Sequence, residues 1–493
     1  MTFIKKSMSH TTPELKRSLG LIDATSLVAG SMIGSGIFIV TTTMAQDVGS
    51  AAWILVIWLV TGLLTMTAAL SYGELAAMMP NAGGQYVYIQ RAYGRLVSFL
   101  YGWTVFTVIQ TGTIAAIGVA FANYSSVFFP SLNTVIFKIG ALFEFNFKQV
   151  LGIFSIVLLT YINSKGVKNG KVIQLVFTSA KLIALAALII LGLYVGLQTN
   201  ILSQNFENTW QATKTVLQSD GTLTITKLSG VALLLGMGAT IINSLFSSDA
   251  WNNVTFIAGE IKNPKKNIPR SLFLGTLIVT IIYILANVAY LALLPLKGIP
   301  IGTVMQSGIM FAKDGRIGAA AASVILGNIG IFVMAGLIMV STFGCNNGLI
   351  LSGGRLFYAM ANDNLFFQSA KQLNKHQVPA KALWVQCIWA SLLCVSGRYN
   401  DLITYATFAS LLFYMLTIAG IFILRKREPN TERPYKAIGY PVVPIIYIVV
   451  TSAICFCLLY DEVSRKSTAF GLFIVALGIP VYYLFLNKTN KSK

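Results

Sequence analysis

The chain has 493 residues, of which 55% are hydrophobic and only 11% are charged, and its formal net charge is +20. Apolar runs of about 20 residues recur along it, each long enough to cross a hydrocarbon core of about 30 Å. This pattern excludes a soluble globular protein and predicts an all-α polytopic membrane protein.

We predict twelve transmembrane helices, here called spans 1 to 12. Their approximate bounds are 20–46, 51–78, 97–126, 149–164, 170–198, 229–258, 269–295, 320–352, 381–397, 401–425, 441–460 and 468–487. The chain then divides into an N-terminal tail, spans 1–5, an outer loop, spans 6–10, a connector, the accessory spans 11 and 12, and a C-terminal tail. The bounds of these parts are 1–19, 20–198, 199–228, 229–425, 426–440, 441–487 and 488–493.

The basic residues are distributed unevenly between the two sides of the predicted bundle. With the N-terminus inside, most Lys and Arg residues fall on the cytoplasmic side, which is the positive-inside bias. The clusters are Lys5, Lys6, Lys16 and Arg17; Lys262, Lys265, Lys266 and Arg270; Arg425, Lys426, Arg427, Arg433 and Lys436; and Lys488, Lys491 and Lys493. We therefore expect a multi-pass protein of the cell membrane with both termini in the cytoplasm, and no nucleic-acid partner.

Span 1 carries the sequence Gly-Ser-Met-Ile-Gly-Ser-Gly-Ile-Phe at 30–38, which predicts a helix broken near its middle. A break leaves carbonyl groups free on one half-helix and N–H groups free on the other. A zwitterion with one carboxylate and one ammonium would match both. Close helix packing through small residues is the alternative interpretation.

Three charged residues are placed near the cytoplasmic ends of spans. Glu74 ends span 2, Glu260 ends span 6, and Arg355 follows span 8. These residues could form an inner gate, or they could be ordinary interfacial charges.

Lys181 is the only basic residue well inside a predicted span. Its ammonium could bridge spans 1 and 8 in place of a sodium ion, or it could titrate and relay a proton. Ser341 and Thr342 of span 8 are candidate acceptors for it. Their hydroxyls could instead bond to carbonyl groups of their own helix.

Span 6 contains three consecutive polar residues, Ser247, Ser248 and Asp249, and these predict a second broken helix. A charge at this depth is costly and usually marks a site or a pathway. Asp249 could face a substrate ammonium, a cationic side chain or a fixed lysine, or it could cap the restarted half-helix.

Both five-span halves thus begin with a broken helix. This arrangement fits an inverted five-plus-five repeat, in which paired breaks mark a transporter's substrate site. We expect the outer segment 296–319 to fold into short helices. The sequence shows no Cys or His cluster with metal-ligand spacing, so we expect no metal, no cofactor and no catalytic residues.

Four stretches resemble the amino acid–polyamine–organocation (APC) transporters, and within them the L-amino-acid-transporter-like (LAT-like) exchangers of the bacterial type. They are GSMIGSGIF (30–38), SYGELAAMMPNAGGQYVYIQRAYG (71–94), WNNVTFIAGEIKNPKKNIPR (251–270) and STFGCNNGLILSGGRLFYAM (341–360). The resemblance covers about residues 15–425 and implies a LeuT-like fold with broken helices 1 and 6.

The resemblance also implies roles for single residues. The substrate carboxylate would meet N–H groups of the first break, and its ammonium would meet carbonyl groups of both breaks. Lys181 would take the place of a sodium ion, with Ser341 as its partner in span 8. The implied substrate-binding residues are Met32, Ser35, Gly36, Ile37, Phe246, Ser247, Asp249 and Asn252.

The chain departs from this family in two places. Ser247 and Ser248 replace a small residue and an aromatic residue, which predicts a roomier or more polar side-chain pocket. No cysteine lies between Val127 and Lys148, where animal members are linked to a heavy subunit. We therefore expect a monomer without a disulfide-linked heavy subunit.

The predicted function is sodium-independent amino acid transport by alternating access, as an exchanger of neutral L-amino acids. Proton-coupled uptake is the first alternative, with Lys181 or Glu74 titrating. A carrier of cationic amino acids or polyamines is the second alternative, because of Asp249. A channel, a transport-derived sensor and a membrane enzyme are the rivals from other classes.

Overall fold

The computed structural model describes residues 17–139, 143–217, 222–301, 304–306, 308–395 and 399–491. The N-terminal tail up to residue 16, with its predicted basic residues Lys5, Lys6 and Lys16, lies outside the described residues. The same holds for Lys493 at the end of the C-terminal tail.

The described chain is mainly helical, with three short antiparallel strand pairs. The helices are α1 Leu21–Met32, α2 Val40–Val48, α3 Ala51–Met78, α4 Gln85–Tyr93, α5 Arg95–Thr104, α6 Gln110–Ser125, α7 Phe147–Ser164, α8 Val167–Gly196, α9 Ile201–Phe206, α10 Gly230–Ser247, α11 Asn253–Phe256, α12 Pro264–Leu293, α13 Ile317–Leu326, α14 Asn328–Asn362, α15 Ala380–Val395, α16 Tyr399–Arg427, α17 Val442–Tyr460 and α18 Glu462–Lys491. The strands are β1 Val135–Ile139, β2 Phe143–Asn146, β3 Ala212–Leu217, β4 Leu223–Leu228, β5 Ile299–Ile301 and β6 Val304–Gln306.

Ten helical segments of the described chain are long and apolar enough to cross a membrane, which confirms a polytopic helical protein. The π-helical turn Val105–Ile109 joins α5 and α6 into one of them. Predicted span 1 is split between α1 and α2, and predicted span 9 is α15, a helix of 16 residues. The total of twelve spans therefore stays a prediction.

The turn between spans 1 and 2 follows from its two residues. Gly49 ends α2 with φ +52°, a left-handed conformation that glycine adopts without steric cost. Ser50 then caps α3, because its hydroxyl accepts a hydrogen bond from the Trp53 N–H at 3.2 Å. This local chemistry reverses the chain within two residues and places α3 beside α2.

The loops between spans 3 and 4, 5 and 6, and 7 and 8 each contain a β-hairpin. β1 pairs with β2, β3 with β4 and β5 with β6. Our prediction of short helices throughout 296–319 is wrong for its first part, since β5 and β6 pair from Ile299 to Gln306. The sequence Ile-Pro-Ile suits a short extended pair better than a helix, because proline cannot donate a helical hydrogen bond.

The bundle has two distinct ends, which we name by their contents. The hairpin end carries β1–β6. The basic end is the opposite end, where α1 begins at Leu21 and α12 begins at Pro264, and here Leu19 pairs with Ile261. Which end faces the cytoplasm stays a prediction from the distribution of positive charge.

The helices differ in how deeply they lie in the bundle. The segment Arg95–Ser125 is the most enclosed, with 89% of its apolar window buried, whereas for Arg465–Leu484 this share is 22%. α5–α6 thus form the centre and α18 the periphery. α7, α14, α15 and α16 pack directly on α6, whereas the two split helices pack on α8, α12, α14 and α16.

Candidate functional site

The first predicted break is present. α1 ends at Met32, a 3₁₀ turn follows at Gly36–Phe38, and α2 begins at Val40. Ile33, Ser35 and Ile37 are all buried within the bundle. Because the last carbonyl groups of α1 have no partner within the helix, each of them needs a donor from elsewhere.

These donors come from three other helices. Lys181 of α8 donates to Gly30 O and Ile33 O, each at 2.6 Å. The Cys345 thiol of α14 lies 2.9 Å from Ser31 O, and the Tyr283 hydroxyl of α12 lies 3.1 Å from Met32 O. The free end of α1 is therefore held by a ring of side chains.

Lys181 is fully enclosed in this ring. Its side chain is 1% exposed, and its ammonium also lies 3.4 Å from the carbonyl oxygen of Ser341. It thus connects α1, α8 and α14, which is the position of the bridging cation, one of the two alternatives from the sequence. The contact with Ser341 is made through the backbone and not through the hydroxyl.

The two hydroxyls of α14 act differently. The Ser341 hydroxyl donates toward the break, to Ile33 O at 3.2 Å or to Gly34 O at 3.3 Å. The Thr342 hydroxyl bonds instead to Ile338 O and Met339 O of its own helix, at 2.9 and 3.0 Å. The Thr342 hydroxyl thus makes the hydrogen bonds of the alternative given above, to carbonyl groups of its own helix and not to Lys181.

The second predicted break is also present. α10 ends at Ser247 and α11 begins at Asn253. Between them, Ala250 has φ +64°, an uncommon conformation for a residue with a side chain, and it lies where the helix is interrupted. The Phe246 carbonyl accepts a hydrogen bond from the Asp249 N–H at 3.2 Å.

The two breaks touch each other. A side-chain carbon built on Gly36 would lie 2.7 Å from Ser247 Cβ, closer than such atoms approach in proteins, and 3.0 Å from Ser247 Cα. The Tyr283 hydroxyl spans the same contact, since it lies 3.1 Å from Met32 O and 3.0 Å from Ser247 O. Its ring packs edge-on against Trp58 at 5.2 Å, which fixes its position.

Asp249 belongs to a polar chain that leads away from the breaks. The Tyr414 hydroxyl donates to the Asp249 carboxylate at 2.6 Å and lies 3.2 Å from Asn252 Oδ1. Asn252 Nδ2 donates to Gln85 Oε1 at 2.8 Å, and the Tyr101 hydroxyl donates to the same oxygen at 3.0 Å. Hydrogen bonds to a charged group are stronger than those between neutral groups. The bond from the Tyr414 hydroxyl to the Asp249 carboxylate is therefore the strongest of these contacts.

A small cavity of about 20 Å³ adjoins this polar chain. This volume suits about one water molecule and is too small for an amino acid. Its walls are mixed, with hydroxyl and amide groups beside apolar side chains; they include Gln85, Tyr101, Gln110, Asn253, Leu349 and Ser410. A substrate side chain could enter here only if these walls moved apart.

The predicted inner-gate residues fall into two separate clusters. Arg355 Nε donates to Glu260 Oε1 at 2.9 Å, and both side chains are almost completely buried. Glu74 instead pairs with Arg425, at 2.6 Å, and with Arg433, at 3.3 Å. The structure thus brings Glu260 and Arg355 together but places Glu74 against the connector after α16.

Several residues of the site escaped the sequence analysis. Tyr283 and Tyr414 are tyrosines within apolar spans, a common pattern that carries no signal by itself. Gln85 lies in the stretch 71–94 that we used only for the resemblance. Their roles depend on which helices pack together, and this is visible only in three dimensions. Among the described residues, no group of His, Cys, Asp or Glu could hold a metal ion.

Comparison with known proteins finds relatives over nearly the whole chain. The sequence profile of the family described as amino acid permease matches residues 19–487. The human "Large neutral amino acids transporter small subunit 2" is 30% identical over 491 residues, which are 97% of this chain and 82% of that protein.

Two further relatives match over similar lengths. The mouse "b(0,+)-type amino acid transporter 1" is 29% identical over 476 residues, covering 96% of this chain and 89% of the relative. The "Serine/threonine exchanger SteT" of Bacillus subtilis is 31% identical over 474 residues, covering 95% and 97%. These matches confirm the resemblance to LAT-like APC transporters, and the chain belongs to the amino acid permease family.

Proposed function

We propose that this protein is a sodium-independent antiporter that exchanges neutral L-amino acids by alternating access. The observation that carries the proposal is the contact of the Lys181 ammonium with Gly30 O, Ile33 O and Ser341 O. A fixed positive charge on these carbonyl groups does what a bound sodium ion would otherwise do, because both neutralise the negative end of α1. Transport would then need no sodium gradient.

The head group of the substrate would bind between the two breaks. Gly36 and Ile37 begin a 3₁₀ turn, and the first N–H groups of such a turn have no partner within it. They would donate hydrogen bonds to the carboxylate, together with the N–H of Ser35. The carbonyl groups of Met32, Phe246 and Asp249 would accept the ammonium, and the Phe246 ring would cover the bound substrate from the hairpin end.

The side chain of the substrate would extend toward the polar chain of Asp249, Tyr414, Asn252 and Gln85. This region offers neutral hydroxyl and amide groups, and its one carboxylate already accepts a hydrogen bond from Tyr414. Such a lining favours a small neutral side chain over a cationic one, since a cationic side chain would have to displace the Tyr414 hydroxyl from the carboxylate. The Bacillus subtilis relative is named a serine/threonine exchanger, which supports a small neutral substrate side chain.

The proposal includes the setting in which the protein works. We place it in the cell membrane with both termini in the cytoplasm, on the basis of the charge distribution. We also propose that it acts as a monomer without a covalently linked heavy subunit. The absence of cysteine from the segment 127–148 supports this, because no thiol is available there.

The test uses purified protein in sodium-free liposomes. Uptake of labelled serine, leucine and arginine is followed into vesicles that are empty or loaded with unlabelled amino acid, at equal pH on both sides. Uptake of serine or leucine into loaded vesicles only, unchanged when sodium is added, is the expected result. Equal uptake into empty vesicles that rises with an inward proton gradient would establish proton coupling instead, and a preference for arginine would establish a cationic carrier.

A further inference from the structure

A groove at the basic end, separate from the site between the breaks, is much roomier than the cavity beside Asp249. Its volume is about 490 Å³. It lies between the end of α3, the first turns of α12 and the connector that follows α16. None of its lining residues takes part in the proposed substrate site, so the proposed transport function leaves it unexplained.

One wall of the groove is held firmly in place. Gly73 of α3 lets the Tyr435 ring and Pro269 approach closely, since a side-chain carbon there would lie 2.8 and 3.2 Å from them. The connector is also anchored on Glu74, whose carboxylate accepts from the Ala437 N–H at 2.7 Å. The groove is therefore a built feature of the fold and not a gap beside a loose loop.

The walls of the groove are largely apolar and face outward from the bundle. Leu70, Pro269, Phe273 and Ile438 contribute to them. The side chain of Ile438 is 60% exposed and that of Phe273 is 36% exposed. Apolar side chains on the outer surface of a membrane protein contact lipid, so the groove is open to the surrounding hydrocarbon.

The mouth of the groove carries three cations, Lys265, Lys266 and Arg270. Lys265 is paired with Glu432 at 3.0 Å. Lys266 and Arg270 are four residues apart on α12 and therefore share one helix face. No ion pair of these two residues occurs within the described ranges, so their charge is available to an anion.

We propose that this groove binds an anionic phospholipid of the surrounding membrane, with its phosphate at Lys266 and Arg270 and an acyl chain along Leu70 and Phe273. The combination of free cations with an outward apolar wall selects this ligand. Basic pockets between membrane helices recognise acidic head groups in this way. A soluble anion would use the cations but would gain nothing from the apolar wall.

The binding test is native mass spectrometry of the full-length protein from vesicles of phosphatidylcholine with added phosphatidylglycerol. The wild type is expected to retain phosphatidylglycerol, and a Lys266→Gln/Arg270→Gln variant to bind it at least about fivefold more weakly for each charge removed. A Lys375→Gln/Lys381→Gln variant is the matched control, since it removes two exposed cations from the same end outside the groove. Equal losses in both variants would overturn the proposal.

A second variant tests the apolar wall without touching the cations. Ile438→Ser replaces apolar surface of the groove with a small neutral side chain at an exposed position, so the protein is expected to fold normally while phosphatidylglycerol retention falls. Thermal unfolding and amino acid exchange in pure phosphatidylcholine vesicles verify the fold of every variant. Retention that is unchanged in Ile438→Ser, or phosphatidylglycerol that is fully displaced by inorganic phosphate, would show that a free phosphate site and not a lipid site is present.

Discussion

Lys181 and Ile33 are joined by a hydrogen bond of 2.6 Å at the point where α1 stops being helical. The same ammonium reaches Gly30 O at an equal distance, so one cation satisfies two carbonyl groups of one helix end. Because α8 supplies the lysine and α14 supplies Ser341 beside it, the break in α1 is tied to two helices of the surrounding bundle. A movement of α1 relative to α8 must break these bonds or carry α8 with it.

Replacing Lys181 by alanine should reduce exchange at least about tenfold. The change leaves the buried Gly30 O without its donor and Ile33 O with only the Ser341 hydroxyl, and a buried carbonyl group without a donor costs about 1–3 kcal/mol. Exchange of labelled serine in proteoliposomes measures the effect, with thermal unfolding to verify that the protein is folded. Lys138→Ala is the control, since that side chain is 59% exposed on β1 and should not matter.

The pH profile of the same variant distinguishes the two roles of Lys181. If the lysine is a fixed cation, the residual exchange keeps the pH dependence of the wild type. If the Lys181→Ala variant exchanges amino acids as fast as the wild type but no longer depends on pH, the fixed-cation role is contradicted and a proton relay is supported.

Replacing Gly36 by alanine should abolish exchange. The added carbon would press on Ser247 Cα, at 3.0 Å, and would force the two breaks apart where the substrate head group is proposed to bind. Gly236→Ala is the matched control, because its added carbon meets only a leucine side chain at 3.4 Å. Normal exchange in Gly36→Ala would rule out the tight contact between the breaks as a requirement for transport.

The sequence predicted the backbone of the site well because the signals were local. Glycine and serine clusters at 30–38 and a charged residue at 249 each violate the rule that membrane spans are apolar and helical. Such a violation can be read from a few neighbouring residues. Lys181 was found for the same reason, as a charge at membrane depth.

The partners of these groups could not be predicted in the same way. Tyr283 and Tyr414 contact the breaks because α12 and α16 happen to pack there, and no local pattern distinguishes them from other tyrosines. For Glu74 the sequence suggested a partner that the structure does not show, since its position at the end of a span suggested a gate with Arg355. Its partners are Arg425 near the end of α16 and Arg433 in the connector, whose path the sequence does not specify.

Replacing Tyr283 by phenylalanine should lower exchange about fivefold to tenfold. The ring would keep its packing on Trp58, but the hydroxyl that lies between Met32 O and Ser247 O would be lost, and one such bond contributes about 1 kcal/mol. Tyr290→Phe is the control on the same helix, since that buried hydroxyl has no hydrogen-bond partner among the described residues. Equal activity of the two variants would contradict a role for the Tyr283 hydroxyl.

We expect the variants Glu260→Gln and Glu428→Gln to differ sharply in their stability to unfolding. Each substitution replaces the carboxylate partner of an arginine with a neutral amide. The Glu260–Arg355 pair is buried, with side chains 1% and 0% exposed, so the substitution leaves a guanidinium without its counter-charge at a cost of about 3–5 kcal/mol. The Glu428–Arg91 pair is 22% and 42% exposed, and water replaces the lost contact there.

Thermal unfolding in detergent measures both variants of this pair. The Glu260→Gln protein should unfold at a clearly lower temperature, whereas Glu428→Gln should unfold close to the wild type. The acid side of the unfolding profile offers a second check, because the Arg91 guanidinium lowers the pKa of Glu428. The small contribution of that pair is therefore present at neutral pH and lost only as the pH falls through the lowered pKa, and Glu428→Gln should remove this acid dependence. Similar unfolding temperatures for the two variants would mean that the buried pair at the basic end is not what holds α14 against the second broken helix.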